Sequence, residues 1–272
     1  MKGFKFLVLG TIFAKLFGII RELLILSEFG YSKEISLYFA VIAILSVLTI
    51  FSDTSVLNSI AFPIWLKNKN LVINYSKKII LFFVFISSFI FLYNYFVFPQ
   101  FDNTHAKIII AVLIIPLVIN SILYSMLIYL EKKREFLIVS SWNGFLYLVF
   151  TFFLIDFGII GLIYSRLITL ILTISLSIVY VHKDVIVKFT NNKGIIINAK
   201  FIKTSFKRFI SVNNVLLFAV AMRVYSSFFF EEQMALINYA MLIALTFYFV
   251  FNKNLNSQLI KEQIKNSFML KN

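Results

Sequence analysis

The stretch GTIFAKLFGIIRE, Gly10–Glu22, sets a lysine, an arginine and a glutamate inside a run of small and apolar residues. A charged group at mid-bilayer depth costs about 2.5–3.5 kcal/mol on insertion scales, so such groups mark sites rather than filler. At 100° per residue, Gly10, Thr11, Ala14, Lys15, Gly18, Arg21 and Glu22 share an arc of roughly 140°, and most of the remaining circle is Leu, Ile and Phe. One face is therefore small and polar, with Gly10, Ala14 and Gly18 forming a small-xxx-small ladder on which a helix or ligand can approach the backbone closely. Two cations on such a face suit an anionic ligand. The alternative is structural, with Arg21 and Glu22 paired or Lys15 reaching to the membrane surface. Neighbours on a helix point 100° apart, so a tight Arg21–Glu22 bond is not expected. Arg166 in GLIYSRLIT and Arg223 in AVAMRVYSS are further cations within apolar runs, and Asp53 in FSDTSVLNSI is a further acid. Each also has a plainer reading at a helix end, Asp53 as a cap.

The elements that must position these groups follow from composition. The chain has 272 residues, of which 61% are hydrophobic and 18% aromatic, and this excludes a soluble globular domain. Eight apolar runs near 4–27, 35–62, 78–98, 107–130, 136–155, 158–181, 208–229 and 233–251 are each long enough to span a bilayer. The expected fold is therefore an all-α integral membrane protein of about eight transmembrane helices. The breaks after even-numbered runs, with Lys2 and Lys5, hold 20 Lys and Arg, whereas the opposite breaks hold only Lys33 and Lys107. That asymmetry places both termini in the cytoplasm, and it assigns the formal charge of +14 to orientation and contact with anionic lipid rather than to nucleic acid. Residues 1–181 form a six-helix unit. The basic segment 182–207 is either a solvated linker or a helix lying on the membrane surface. Residues 208–272 supply two more helices and a basic tail. MKGFKF followed by LVLGTIF is not a cleaved signal, because Lys15, Arg21 and Glu22 interrupt its apolar core.

Enzyme chemistry finds little support. Cysteine is absent, which removes disulfides, thiolate metal sites and cysteine nucleophiles. His105 and His182 fall on opposite sides of the membrane, and no nucleotide-binding, metal-ligand or paired-carboxylate motif lies in the breaks. Asn120, Ser121 and Asn143 read as interhelical hydrogen-bonding residues, and Pro63 and Pro116 as kinks.

The run TIFAKLFGIIRELLILSEFGYSKEISLYFAV resembles the first helix and turn of the MurJ (MviN) lipid II flippases, in the multidrug/oligosaccharidyl-lipid/polysaccharide exporter superfamily. Lys15, Gly18, Arg21, Glu22, Phe29 and Gly30 occupy the places of that pattern. FSDTSVLNSIAFPIW, with Asp53 and Pro63, is similar to the end of the second span, and INYAMLIALTFYFV more weakly to the eighth. Lys15 replaces the usual arginine, and Ser36 stands where an aspartate is common, so other polyprenyl-diphosphate-linked saccharides, such as O-antigen or capsule units, fit beside lipid II.

The resemblance implies a flippase of the bacterial cytoplasmic membrane working by alternating access. Arg21 and Lys15 of the matching stretch would bind the diphosphate, joined by Arg166 and Arg223, which stand apart from the family's pattern where its arginines before Asp53 and in the eighth span are absent. Glu22 and Asp53 would balance charge or bind a monovalent cation that couples transport to an ion gradient or the membrane potential. Members have two six-helix lobes, and this sequence supplies one lobe and the opening pair of the second. The expectation is that it is truncated, is completed by another chain, or has become a non-transporting interaction subunit.

Overall fold

The structure is a computed structural model that describes residues 2–32 and 104–186 continuously, with single positions or short groups at 35–39, 80–92 and 218–241. Four long helices carry the described architecture: α1 (Lys2–Phe29), α2 (Thr104–Tyr129), α3 (Lys133–Leu154) and α4 (Gly158–Ile186). A single 3₁₀ turn, Ile155–Phe157, joins α3 to α4. No strand occurs among the described residues. The helices match the expected runs 4–27, 107–130, 136–155 and 158–181 within a few residues, α4 extending five residues beyond its run. The runs at 35–62, 78–98, 208–229 and 233–251 lie largely outside the described residues.

Two stretches, Lys107–Tyr129 and Lys133–His182, are long and apolar enough to cross a bilayer. The second is a hairpin. Asn143 meets Thr173, while Tyr147 further along α3 meets Arg166 nearer the start of α4, so the two helices run antiparallel. Gly158 turns the chain with φ 66° and ψ −147°, a backbone region reserved for glycine. Three residues on, Gly161 packs so tightly that an added Cβ would overlap the Leu154 carbonyl oxygen.

α2 is antiparallel to α3, since Tyr124 near its end stacks edge-on against Phe136 near the start of α3. The turn between them is a Schellman cap: the Lys132 amide donates to the Leu127 carbonyl and the Glu131 amide to that of Ile128. Glu131 takes the left-handed position with φ 62°, usually given to glycine. Lys132 Nζ then donates to the Tyr180 carbonyl at 2.6 Å, tying this turn to the far end of α4. α2 continues as a helix through Pro116.

α1 lies along α3 and parallel to it. An added Cβ on Gly10 would sit 2.5 Å from Ser140 Oγ, one on Gly144 would sit 2.9 Å from the Ala14 Cα, and Phe17 stacks edge-on with Phe145. The order across the group is thus α1, α3, α4, α2. Between α4 and α2, Ile110, Ile114, Leu127, Leu162, Ile163 and Leu170 are fully buried. In lipid their contribution is close-packed dispersion rather than release of water.

The outer surface is apolar. Leu9, Phe13, Leu16, Ile20 and Leu23 are all exposed and fall within about 80° of the α1 circumference, opposite the polar arc. Phe152, Phe153 and Phe157 are each more than 60% exposed at the α3–α4 turn. Exposure of that extent suits a lipid environment.

Candidate functional site

α3 stands between the helices that carry Arg21 and Arg166, and its Tyr147 is where these two arginines meet. The Arg21 guanidinium carbon lies 4.1 Å from the centre of the Tyr147 ring, and that of Arg166 lies 4.8 Å from the same centre. A guanidinium over an aromatic face at such distances is worth about 0.5–2 kcal/mol, more as water is excluded. Arg21 sits eight residues before the end of α1, Tyr147 seven before the end of α3, and Arg166 eight after the start of α4. At 1.5 Å per residue all three are roughly 10–12 Å in from the same end of the bundle.

Glu22 is the acid of the site. It is 6% exposed, and its Oε1 accepts directly from an Arg21 terminal nitrogen. The expectation that adjacent residues would not pair is therefore overturned. Both side chains are long, and with their Cβ bonds only 100° apart they can fold toward one another in a site without competing water. The pair is incompletely satisfied: Glu22 Oε2 and Arg21 Nε are buried without hydrogen-bond partners among the described residues. No carboxylate pairs with Arg166 among the described residues. Among the described residues, two guanidinium charges thus face one carboxylate, which leaves a positive charge in a low-dielectric setting.

Tyrosines complete the surround. Tyr38 is buried close to Tyr147. Tyr239 lies beside Glu22, with its ring edge-on to Tyr31 and Phe39 and its hydroxyl unpartnered among the described residues. Tyr124, close to Arg166 and Asn120, donates to the Val139 carbonyl at 3.4 Å. Asn120 is buried, and its Oδ1 has no partner among the described residues. The Asn143 side-chain amide does reach between helices, to 3.4 Å from Thr173 Oγ1.

Of the residues singled out from sequence, Arg21, Glu22 and Arg166 are brought together. Lys15 is part-buried on the side of α1 turned from α3, roughly 9 Å back along the axis from Arg21. Asp53 and Arg223 lie outside the described residues, as does the side chain of Thr11. The proposed glycine ladder divides: Gly10 and Ala14 pack on α3, whereas a Cβ on Gly18 would meet nothing within 4 Å among the described residues. The reason is angular, because Gly10, Ala14 and Arg21 occupy one side of the polar arc while Lys15, Gly18 and Glu22 occupy the other.

Two features escaped the sequence reading. Tyr147 looks like one more aromatic in an apolar run, its only signal being a phenol placed away from the run's ends. The second is the column Gly161, Ser165, Thr169, Thr173 and Ser177 along one face of α4. All five are buried, and each hydroxyl donates to the carbonyl four residues back at 2.6–2.8 Å. Spacing by four was the available signal. No protein-family model, no curated protein and no solved structure matches the chain.

Proposed function

We propose that this chain is a multi-pass protein of a bacterial cytoplasmic membrane that moves a polyprenyl-diphosphate-linked saccharide from one leaflet to the other. The supporting observation is the meeting of Arg21 and Arg166 on Tyr147, roughly 10–12 Å in from one end of the bundle, with a single carboxylate beside them among the described residues. An ionic headgroup cannot cross hydrocarbon unaided, because the charged and polar groups lose their water. A site that holds a surplus of guanidinium inside the membrane replaces that water with charge-assisted hydrogen bonds, while the lipid tail remains outside. Helix directions support the reading. α1 and α2 run oppositely, so two crossings between them suit the apolar runs at 35–62 and 78–98. The likeness of Lys15–Gly30 to the MurJ family adds the transport step, in which two halves rock about the site to expose it to each side in turn.

The test is export of lipid-linked saccharide by Arg21→Ala at matched protein level. We expect at least a tenfold loss. Unchanged export would remove Arg21 from the mechanism, and wild-type protein that moves no such lipid in reconstituted vesicles would overturn the transport reading.

A further inference from the structure

The two guanidiniums reach Tyr147 from different helices, α1 and α4, which flank α3. Measured through the ring centre they are no more than about 9 Å apart, close enough for like charges in a dry site to repel. Something must hold them there. Glu22 engages Arg21, but Arg166 has no acid among the described residues, and the contact shared by both arginines is the Tyr147 ring. A guanidinium stacked over a ring satisfies its face and leaves the N–H donors at its edge to turn outward. In Arg21 the buried Nε has no partner among the described residues.

We propose that Tyr147 is the positioning residue of the anion site, fixing Arg21 and Arg166 as two separate donor edges, and that this spacing selects a diphosphate over a monophosphate. The inference rests on the transport reading and deepens it. A diphosphate offers two charged phosphoryl groups joined by one oxygen, so each can meet its own guanidinium. A monophosphate presents one cluster of oxygens and engages one arginine fully or both poorly. The ring carries this role and the hydroxyl does not, since cation–π attraction depends on the aromatic face. The Tyr147 hydroxyl instead lies close to buried Tyr38. Thr151 Oγ1 donates to the Tyr147 carbonyl at 2.7 Å, a backbone contact that any residue at 147 retains.

The experiment measures binding of an isoprenyl diphosphate and of the matching isoprenyl monophosphate to the purified full chain in detergent. Three proteins are compared: wild type, Tyr147→Leu and Tyr147→Phe. Wild type is expected to prefer the diphosphate by tenfold or more. Tyr147→Leu, similar in bulk and apolar, loses that preference by weakening diphosphate binding while leaving monophosphate binding within about threefold. Tyr147→Phe, which keeps the ring, keeps the preference. A general packing defect would lower binding of both lipids together and would overturn the proposal, as would a preference that survives in Tyr147→Leu or vanishes in Tyr147→Phe. The two readings separate cleanly. Transport by a wild type that binds both lipids equally overturns the Tyr147 proposal alone, and a diphosphate preference in a wild type that moves no lipid overturns the transport reading alone.

Discussion

Arg21 and Glu22 are consecutive residues that end up sharing one bond, and the consequence is energetic before it is functional. The Glu22 side chain is 7% exposed and that of Arg21 17%, so neither charge is well served by solvent. Removing one member of a buried pair strands the other, at a cost of about 3–5 kcal/mol. Glu22→Gln keeps the shape of the side chain and removes its charge, leaving Arg21 beside Tyr147 and Arg166 with no acid in reach among the described residues. The expected outcome is a clear fall in melting temperature in detergent. Because a bound anion would then supply the missing negative charge, saturating isoprenyl diphosphate should restore much of that loss, by the linkage between binding and stability. A melting curve run with and without the lipid checks this, and an equal loss in both conditions would argue against anion binding at Arg21. Sequence alone marked these residues as costly charges in an apolar run. It did not disclose their pairing, because side-chain reach in a dry site is a tertiary property that the 100° rule does not contain.

Helices were the most legible layer. A run of about 20 apolar residues has few alternatives to a helix in lipid, where each backbone N–H and C=O must be satisfied within the chain. That is why α1 to α4 fall where the runs do, and why Gly30 (φ 57°) and Gly158 (φ 66°) punctuate them. Which face meets which was less legible, because the polar arc of α1 has two sides and only one packs on α3. Gly10 and Ala14 belong to that side and find Ser140 and Gly144, whereas Gly18 does not. The contrast gives a paired test. In Gly144→Ala the new Cβ meets the Ala14 backbone at 2.9–3.0 Å, and α1 must move away from α3. Overpacking of this kind costs about 1–3 kcal/mol. Gly18→Ala adds a methyl where no described neighbour stands and gains helix propensity, up to about 1 kcal/mol. Thermal unfolding in detergent should therefore show Gly144→Ala destabilised and Gly18→Ala unchanged or more stable. The reverse order would mean that the α1–α3 contact is not the one described. The Ser and Thr column on α4 was legible only as spacing. Its hydroxyls look like polar cost in an apolar run until their bonds to carbonyls four residues back are seen to satisfy them internally.

At the scale of the whole molecule, relative direction and absolute orientation come from different sources. The packing fixes α1 and α3 as parallel and α2 and α4 as antiparallel to them, whichever way the bundle faces. Orientation rests on the basic breaks, because cytoplasmic segments retain Lys and Arg. The turn Leu130–Lys132 belongs to the basic stretch EKKRE, whereas the turn Ile155–Gly158 carries Asp156 and no basic residue. The anion site, roughly 10–12 Å from the Ile155–Gly158 end, would then sit in the outer half of the membrane. A chain without native cysteine makes this directly measurable. Single cysteines at Glu131 and at Asp156, both in turns, should separate completely with a membrane-impermeant maleimide. In intact spheroplasts Asp156→Cys should label and Glu131→Cys should not, and opening the membrane should make Glu131→Cys label as well. Labelling of Glu131→Cys from outside with Asp156→Cys protected would invert the protein, putting the arginines in the cytoplasmic half, where they would meet the headgroup at entry instead of at release. Equal labelling of both in intact spheroplasts would mean that α3 does not cross at all, and a site between α1, α3 and α4 could not then carry anything through the bilayer.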